Sequence, residues 1–162
     1  MRRLVERFFL VLVLVGVSGG PVFAELLESK MTAYLVTKSG QGEETLQETD
    51  SAAPGETIEY LLVYRNTGKG SLSGLNITGP VPANTVYLAG SALTVVAADL
   101  EVSIDHGELW EKEPVKRVRK QSDGSMREVV VEADEYTGIR WLPKEALLPG
   151  TVQKYHYRVV IR

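Results

Sequence analysis

Thr57-Ile58-Glu59-Tyr60-Leu61-Leu62-Val63-Tyr64-Arg65-Asn66 carries Ile58, Tyr60, Leu62 and Tyr64 at every second position, with Thr57, Glu59 and Arg65 between them. A period of two belongs to extended chain, whose successive side chains point to opposite faces, whereas a helix repeats about every 3.6 residues. The segment therefore predicts a strand with one apolar face. Leu61 and Val63 fall on the otherwise polar side, where a loop covers them or they form part of a contact surface. Just upstream stands Ala53-Pro54-Gly55. Proline presets φ for the first central position of a turn and glycine accepts the positive φ of the second, so the strand is expected to begin directly after it.

Working outward, the same punctuation recurs. Met31 to Lys38 has the β-branched and aromatic content of a first strand, and Ser39 to Ser51 reads as a loop or ragged edge segment. Leu72 to Thr78 reads as a strand, followed by Gly79-Pro80-Val81-Pro82, whose prolines cannot donate to a ladder. Val86-Tyr87-Leu88 is a short strand. Thr94 to Ile104 alternates again, with Val96, Ala98, Leu100, Val102 and Ile104 on one face, and ends at the turn Asp105-His106-Gly107. Val115 to Lys120 and Met126 to Ala133 flank Gln121-Ser122-Asp123-Gly124-Ser125 as a hairpin. Gly138 to Leu142 is short, with Trp141 expected in the core. Leu148-Pro149-Gly150 repeats the Pro-Gly device, and the closing strand follows with Tyr155, Tyr157, Val159 and Ile161 facing in and Lys154, His156, Arg158 and Arg162 facing out. Short strands with one apolar face each, and no convincing helical period, predict an all-β protein built as two packed antiparallel sheets.

The N-terminus is of a different kind. Met1-Arg2-Arg3-Leu4-Val5-Glu6-Arg7 is basic, Phe8 to Val17 is apolar, and Val22-Phe23-Ala24 is a small-residue exit, the layout of a secretory signal peptide with cleavage expected after Ala24. The apolar run covers roughly 15 Å as helix, about half of a hydrocarbon core, so no stable span is expected once it is removed. Retention as an uncleaved anchor is the alternative. Removing 24 of the 162 residues leaves 138, read as a short polar leader, 25–30, and one domain, 31–162. With no cysteine in the chain there is no disulfide frame, thiolate metal site or lipid-attachment cysteine. The formal charge is −3, and the segment's three arginines and one glutamate take +2 with them, leaving −5 and arguing against nucleic acid as partner.

Five stretches occur in one order along this chain: Pro54-Gly55-Glu56-Thr57-Ile58-Glu59-Tyr60, Arg65-Asn66-Thr67-Gly68, Val81-Pro82-Ala83-Asn84-Thr85-Val86-Tyr87 with Ala89-Gly90-Ser91, Ser103-Ile104-Asp105-His106-Gly107, and Ile139-Arg140-Trp141 ahead of Leu148-Pro149-Gly150. In these the chain resembles the conserved-repeat domain of bacterial exported and surface proteins, domain of unknown function 11, over roughly residues 31 to 162. The resemblance implies an immunoglobulin-like sandwich used outside the cytoplasm as a spacer, adhesive or assembly module, with no common enzymatic activity. Gly79 stands where that family often has an aspartate, and His106 where it often has a Gly-Gly or Asn-Gly turn.

Residues capable of chemistry are few. A nucleophile needs a base, and His106 and His156 are the only imidazoles. Asp105-His106 are adjacent and point apart in extended chain, and His156 lies among Lys154 and Arg158. Asp134-Glu135, Glu43-Glu44 and Asp99 are the carboxylates from which a calcium site would be assembled, without any EF-hand-like loop, and no metal or other cofactor is expected. The run Lys116-Arg117-Val118-Arg119-Lys120 concentrates positive charge, either as a contact for an anionic envelope polymer or lipid or as a charged edge that blocks strand aggregation. Trp110 is a candidate sugar platform, with Tyr136 nearby, or packs against its hairpin.

The expectation is an exported, periplasmic or extracellular, non-enzymatic module that presents a rigid surface to another envelope or surface protein, with Leu61 and Val63 as contact candidates. The alternative is a carbohydrate- or anionic-polymer-binding module using Trp110, Lys116, Arg117, Arg119 and Lys120. A small hydrolase is a third class, requiring a histidine to meet a serine or threonine hydroxyl.

Overall fold

The computed structural model describes Glu6–Arg7 and residues 26–162; apart from those two residues, the segment read as a signal peptide lies outside it. The described residues form thirteen strands: β1 (Glu6–Arg7), β2 (Leu27–Lys38), β3 (Glu44–Glu48), β4 (Ser51–Ala52), β5 (Thr57–Asn66), β6 (Ile77–Pro80), β7 (Thr85–Tyr87), β8 (Leu93–Thr94), β9 (Ala98–Ser103), β10 (Lys116–Lys120), β11 (Met126–Val130), β12 (Gly138–Pro143) and β13 (Val152–Ile161). One short 3-10 turn, Ala133–Glu135, is the sole helical element among the described residues. None of them forms a helix long and apolar enough to cross a membrane.

The larger sheet runs β3-β2-β5-β13-β7, with β8 also on β13, and the smaller runs β6-β12-β9; every pairing is antiparallel. β10 and β11 form a separate hairpin, and β1 pairs with β4. The two principal sheets pack face to face as a β-sandwich. From the larger come Ile58, Tyr60, Leu62, Tyr64, Tyr155, Tyr157, Val159 and Ile161; from the smaller come Ile77, Val102, Ile139 and Trp141, all buried. Aromatic rings fill the interface, with Tyr60 and Tyr157 stacked at 5.0 Å between centroids and Trp141 tilted against Tyr155 at 5.4 Å. Buried phenols need acceptors, and Tyr157 finds the Pro80 carbonyl and Tyr155 the Gln153 side chain. Burial pushes the Tyr60 hydroxyl up to about 12.

Both Pro-Gly devices form the expected turns. Glu56 N–H donates to the Ala53 carbonyl at 3.1 Å with Gly55 at φ 85°, and Thr151 N–H donates to the Leu148 carbonyl at 3.1 Å with Gly150 at φ 72°. The alternation in β5 and β13 places the expected faces inward, and Trp141 is in the core.

Elsewhere the structure corrects the sequence reading. The first strand begins at Leu27, so most of the supposed leader is sheet, because β2 pairs with β5 as far as Leu27 opposite Asn66. Glu44–Glu48 is a regular edge strand although all of its side chains are exposed, held by its ladder to β2. The span 72–78 is not continuous strand: Gly74 takes φ 68°, Leu72 makes one bridge to Leu147, and ladder pairing starts at Ile77. The span 94–104 splits into β8, on the larger sheet, and β9, on the smaller.

Candidate functional site

Side chains alternate along β5 and β13, so the registers that bury Tyr60 and Tyr157 turn Glu59, Leu61, Val63, Lys154, His156 and Arg158 to the opposite, outer face of the larger sheet. There the ladder sets His156 beside Leu61, Lys154 beside Val63 and Arg158 beside Glu59. β8 folds back along β13, pairing Leu93 with His156 and Thr94 with Tyr155, and Thr94 Oγ1 donates to the Lys154 carbonyl at 2.8 Å. The result is an open groove of about 380 Å³ lined by Glu59, Leu93, Thr94, Val95, Lys154 and His156.

Its floor is polar and its rim apolar. Glu59 is buried although it lies on the outer face, accepting from Arg158 Nε at 2.8 Å and lying 3.2 Å from His156 Nδ1. Arg158 reaches past it to Glu44, Nη2 to Oε2 at 2.9 Å, and Glu44 also meets Lys38 Nζ at 3.2 Å. The guanidinium and the Lys38 ammonium hold the Glu44 carboxyl below the usual carboxylate range. Above this network stand Leu93, 63% exposed, and Val95, fully exposed. Sequence reasoning saw His156 only among its cationic strand neighbours. Its partner Glu59, 97 residues away in the chain, comes from the antiparallel register.

Leu61 and Val63 are half-buried on the same outer face, on β5 between β2 and β13, opposite His156 and Lys154 in the ladder and beside the groove. Trp110 is elsewhere, half-buried over the smaller sheet. The Arg140 guanidinium lies 4.6 Å from its ring centroid, and a Cβ at Gly138 would meet its ring at 3.1 Å. Arg140 is held in turn by Glu101. Tyr136 is buried and donates to Glu113 at 3.0 Å.

The basic run occupies β10, and most of its charge is matched. Lys116 pairs with Glu128 at 2.9 Å, Arg117 makes a two-point pair with Glu111, and Arg119 one with Glu135 at 2.6 and 2.7 Å. Lys120 is exposed and has no ion pair among the described residues. The site residues thus fall on three separate elements: Leu61 and Val63 at the groove, Trp110 over the smaller sheet, and Lys116, Arg117, Arg119 and Lys120 on the hairpin.

His106 is exposed on its turn at φ 59°, and among the described residues no serine or threonine hydroxyl hydrogen-bonds either imidazole. Of the carboxylates considered for calcium, Glu44 pairs with Lys38 and Arg158, Asp99 with Lys112 and Lys144, Glu135 with Arg119 and Asp134 with Arg162, while Glu43 has no ion pair among the described residues.

Comparison with known proteins returns no matching family model, no matching curated protein and no matching solved structure.

Proposed function

We propose that this chain is an exported, non-enzymatic module of the cell envelope or surface that binds another protein through the outer face of its larger sheet. The observation that carries the reading is the groove between β8 and β13, where exposed Leu93 and Val95 overhang Glu59, Lys154 and His156. A solvated outer face normally carries polar residues, and exposed apolar side chains gathered beside polar ones mark a contact surface. Leu61 and Val63 add apolar surface on the same face beside the groove, which suits an extended segment of a partner whose side chain enters the groove while its carbonyls accept from Lys154 and the imidazole. The basic N-terminal segment with its apolar run and small-residue exit supports export, and the five-stretch resemblance supports an immunoglobulin-like module. Matched charge on β10 and a Trp110 ring already covered by Arg140 favour a protein partner over an anionic polymer or a sugar.

The test is a photo-crosslinking residue at position 95 in the full chain, activated in intact envelopes. A discrete cross-linked protein that disappears with Leu93→Asp supports the reading. Cross-linking that is absent, or unchanged by Leu93→Asp, overturns it.

A further inference from the structure

Among the strands with an open edge in the sheet order are β3, at one end of the larger sheet, and β10, in its two-stranded hairpin. Each is five residues long. Their sequences are Glu44-Thr45-Leu46-Gln47-Glu48 and Lys116-Arg117-Val118-Arg119-Lys120. We propose that these edges join copies of this chain head to tail, β10 of one copy pairing antiparallel with β3 of the next.

The backbone fixes which residues can bond outward. Ser39 N–H donates to the Glu43 carbonyl and Thr49 N–H to the Ala33 carbonyl, so the pairs that bond β3 to β2 fall at Thr45 and Gln47. In an antiparallel ladder, bonded and non-bonded pairs alternate, so the N–H and C=O groups of Glu44, Leu46 and Glu48 point away from β2. Val131 N–H to the Val115 carbonyl and Gln121 N–H to the Ser125 carbonyl frame β10 in the same way. They turn the backbone groups of Lys116, Val118 and Lys120 away from β11.

Joining the edges antiparallel sets outward-bonding residues directly opposite one another: Lys116 to Glu48, Val118 to Leu46, Lys120 to Glu44. Charges oppose at both ends. Between them meet two apolar side chains that are 63% and 48% exposed in the single chain. Glu48 and Lys120 have no ion pair among the described residues, so each edge contributes a charge with no ionic partner within its own chain. On the other face Arg117 meets Gln47 and Arg119 meets Thr45. A slip of one residue, or a parallel arrangement, moves both lysines off the glutamates.

Each edge also rejects its own kind. Antiparallel β3 on β3, centred on Leu46, sets Glu44 against Glu48, and β10 on β10 sets Lys116 against Lys120. Like charges directly opposite are destabilising. Symmetric edge dimers are therefore disfavoured and the unlike contact favoured, which repeats in one direction and builds chains of copies unless the rotation closes a ring. Charged edges otherwise serve to prevent pairing, which is the outcome the experiment separates from this one. The inference deepens the protein-interaction reading by naming a partner, a second copy, and uses edges distinct from the groove.

The experiment is sedimentation velocity of the full chain and its Lys116→Glu and Glu48→Lys variants, each verified as folded by circular dichroism. The wild type is expected to self-associate with rising concentration, less so with added salt. Each variant should associate about tenfold more weakly, since an opposed pair becomes a like-charged one. An equimolar mixture of the two, and the double variant, should recover the association. A wild type that stays monomeric, variants that associate as well as wild type, or a mixture that recovers nothing overturns the proposal. Leu93→Asp, which removes the groove cross-links, should leave self-association intact, so the two readings fail separately.

Discussion

Arg158 lies directly across from Glu59 in the ladder between β13 and β5, and its Nε donates to Glu59 Oε2 at 2.8 Å. The same guanidinium continues to Glu44 on the edge strand β3, so one side chain of the closing strand ties together the centre and the margin of the larger sheet. The network stands at the edge of the groove, where it holds Glu59 ionically matched beneath Leu93 and Val95. It also links the groove to the strand assigned to self-association.

Because Arg158, then Lys38, lowers the Glu44 carboxyl below its ordinary 4.5, the sign of the pH effect follows. A carboxylate depressed on folding adds stability that is fully present above 4.5 and disappears as pH falls through its folded value. A carboxyl NMR titration should place the Glu44 midpoint below 4.5. In Arg158→Met the midpoint should move upward while Lys38 retains part of the depression. A midpoint unmoved by that substitution would remove Arg158 as the principal cause.

Gly79 in β6 lies in the interface between the sheets. A Cβ there would come within 2.7 Å of Tyr157 Cε1 and 3.2 Å of Ile139 Cγ1, and both neighbours are fully buried. Gly79→Ala should cost about 1–3 kcal/mol of unfolding free energy through overpacking, measured by urea denaturation.

Asn66 ends β5 fully buried, and its side chain ties the loop that follows it to the segment at Leu147. Nδ2 donates to the Gly70 and Leu147 carbonyls, each at 2.8 Å, and Oδ1 accepts from Gly68 N–H at 2.9 Å. Asn66→Ala leaves two carbonyls and one N–H without these partners and should cost about 2–4 kcal/mol. Hydrogen exchange at Gly68 should accelerate more than at Tyr157 N–H in the central strand, which distinguishes local loosening from global unfolding.

Much of the strand content was legible because its cause is local. Alternation in Thr57–Asn66 and Val152–Ile161 reports which face is buried, and Pro54-Gly55 and Pro149-Gly150 carry their turn geometry in two adjacent residues. The edge strand Glu44–Glu48 was not legible as a strand, because its side chains are exposed and carry no burial pattern; backbone pairing to β2 makes it one. Leu61 and Val63 stood out as misplaced apolar residues, yet Leu93, Val95 and Glu59, which complete the groove, gave no comparable signal.

From residue types alone came the all-β character, the lack of any cysteine framework, and the acidic balance interrupted by one basic strand. Tertiary structure alone decided that Glu59 faces His156 and Arg158, that Glu111, Glu128 and Glu135 neutralise most of β10, and that two oppositely charged edges remain open. The division is physical. Turn and strand preferences are energies between near neighbours in the chain, whereas a cross-strand pair such as Arg158 with Glu59 depends on register between segments 99 residues apart, which exists only once both sheets have packed.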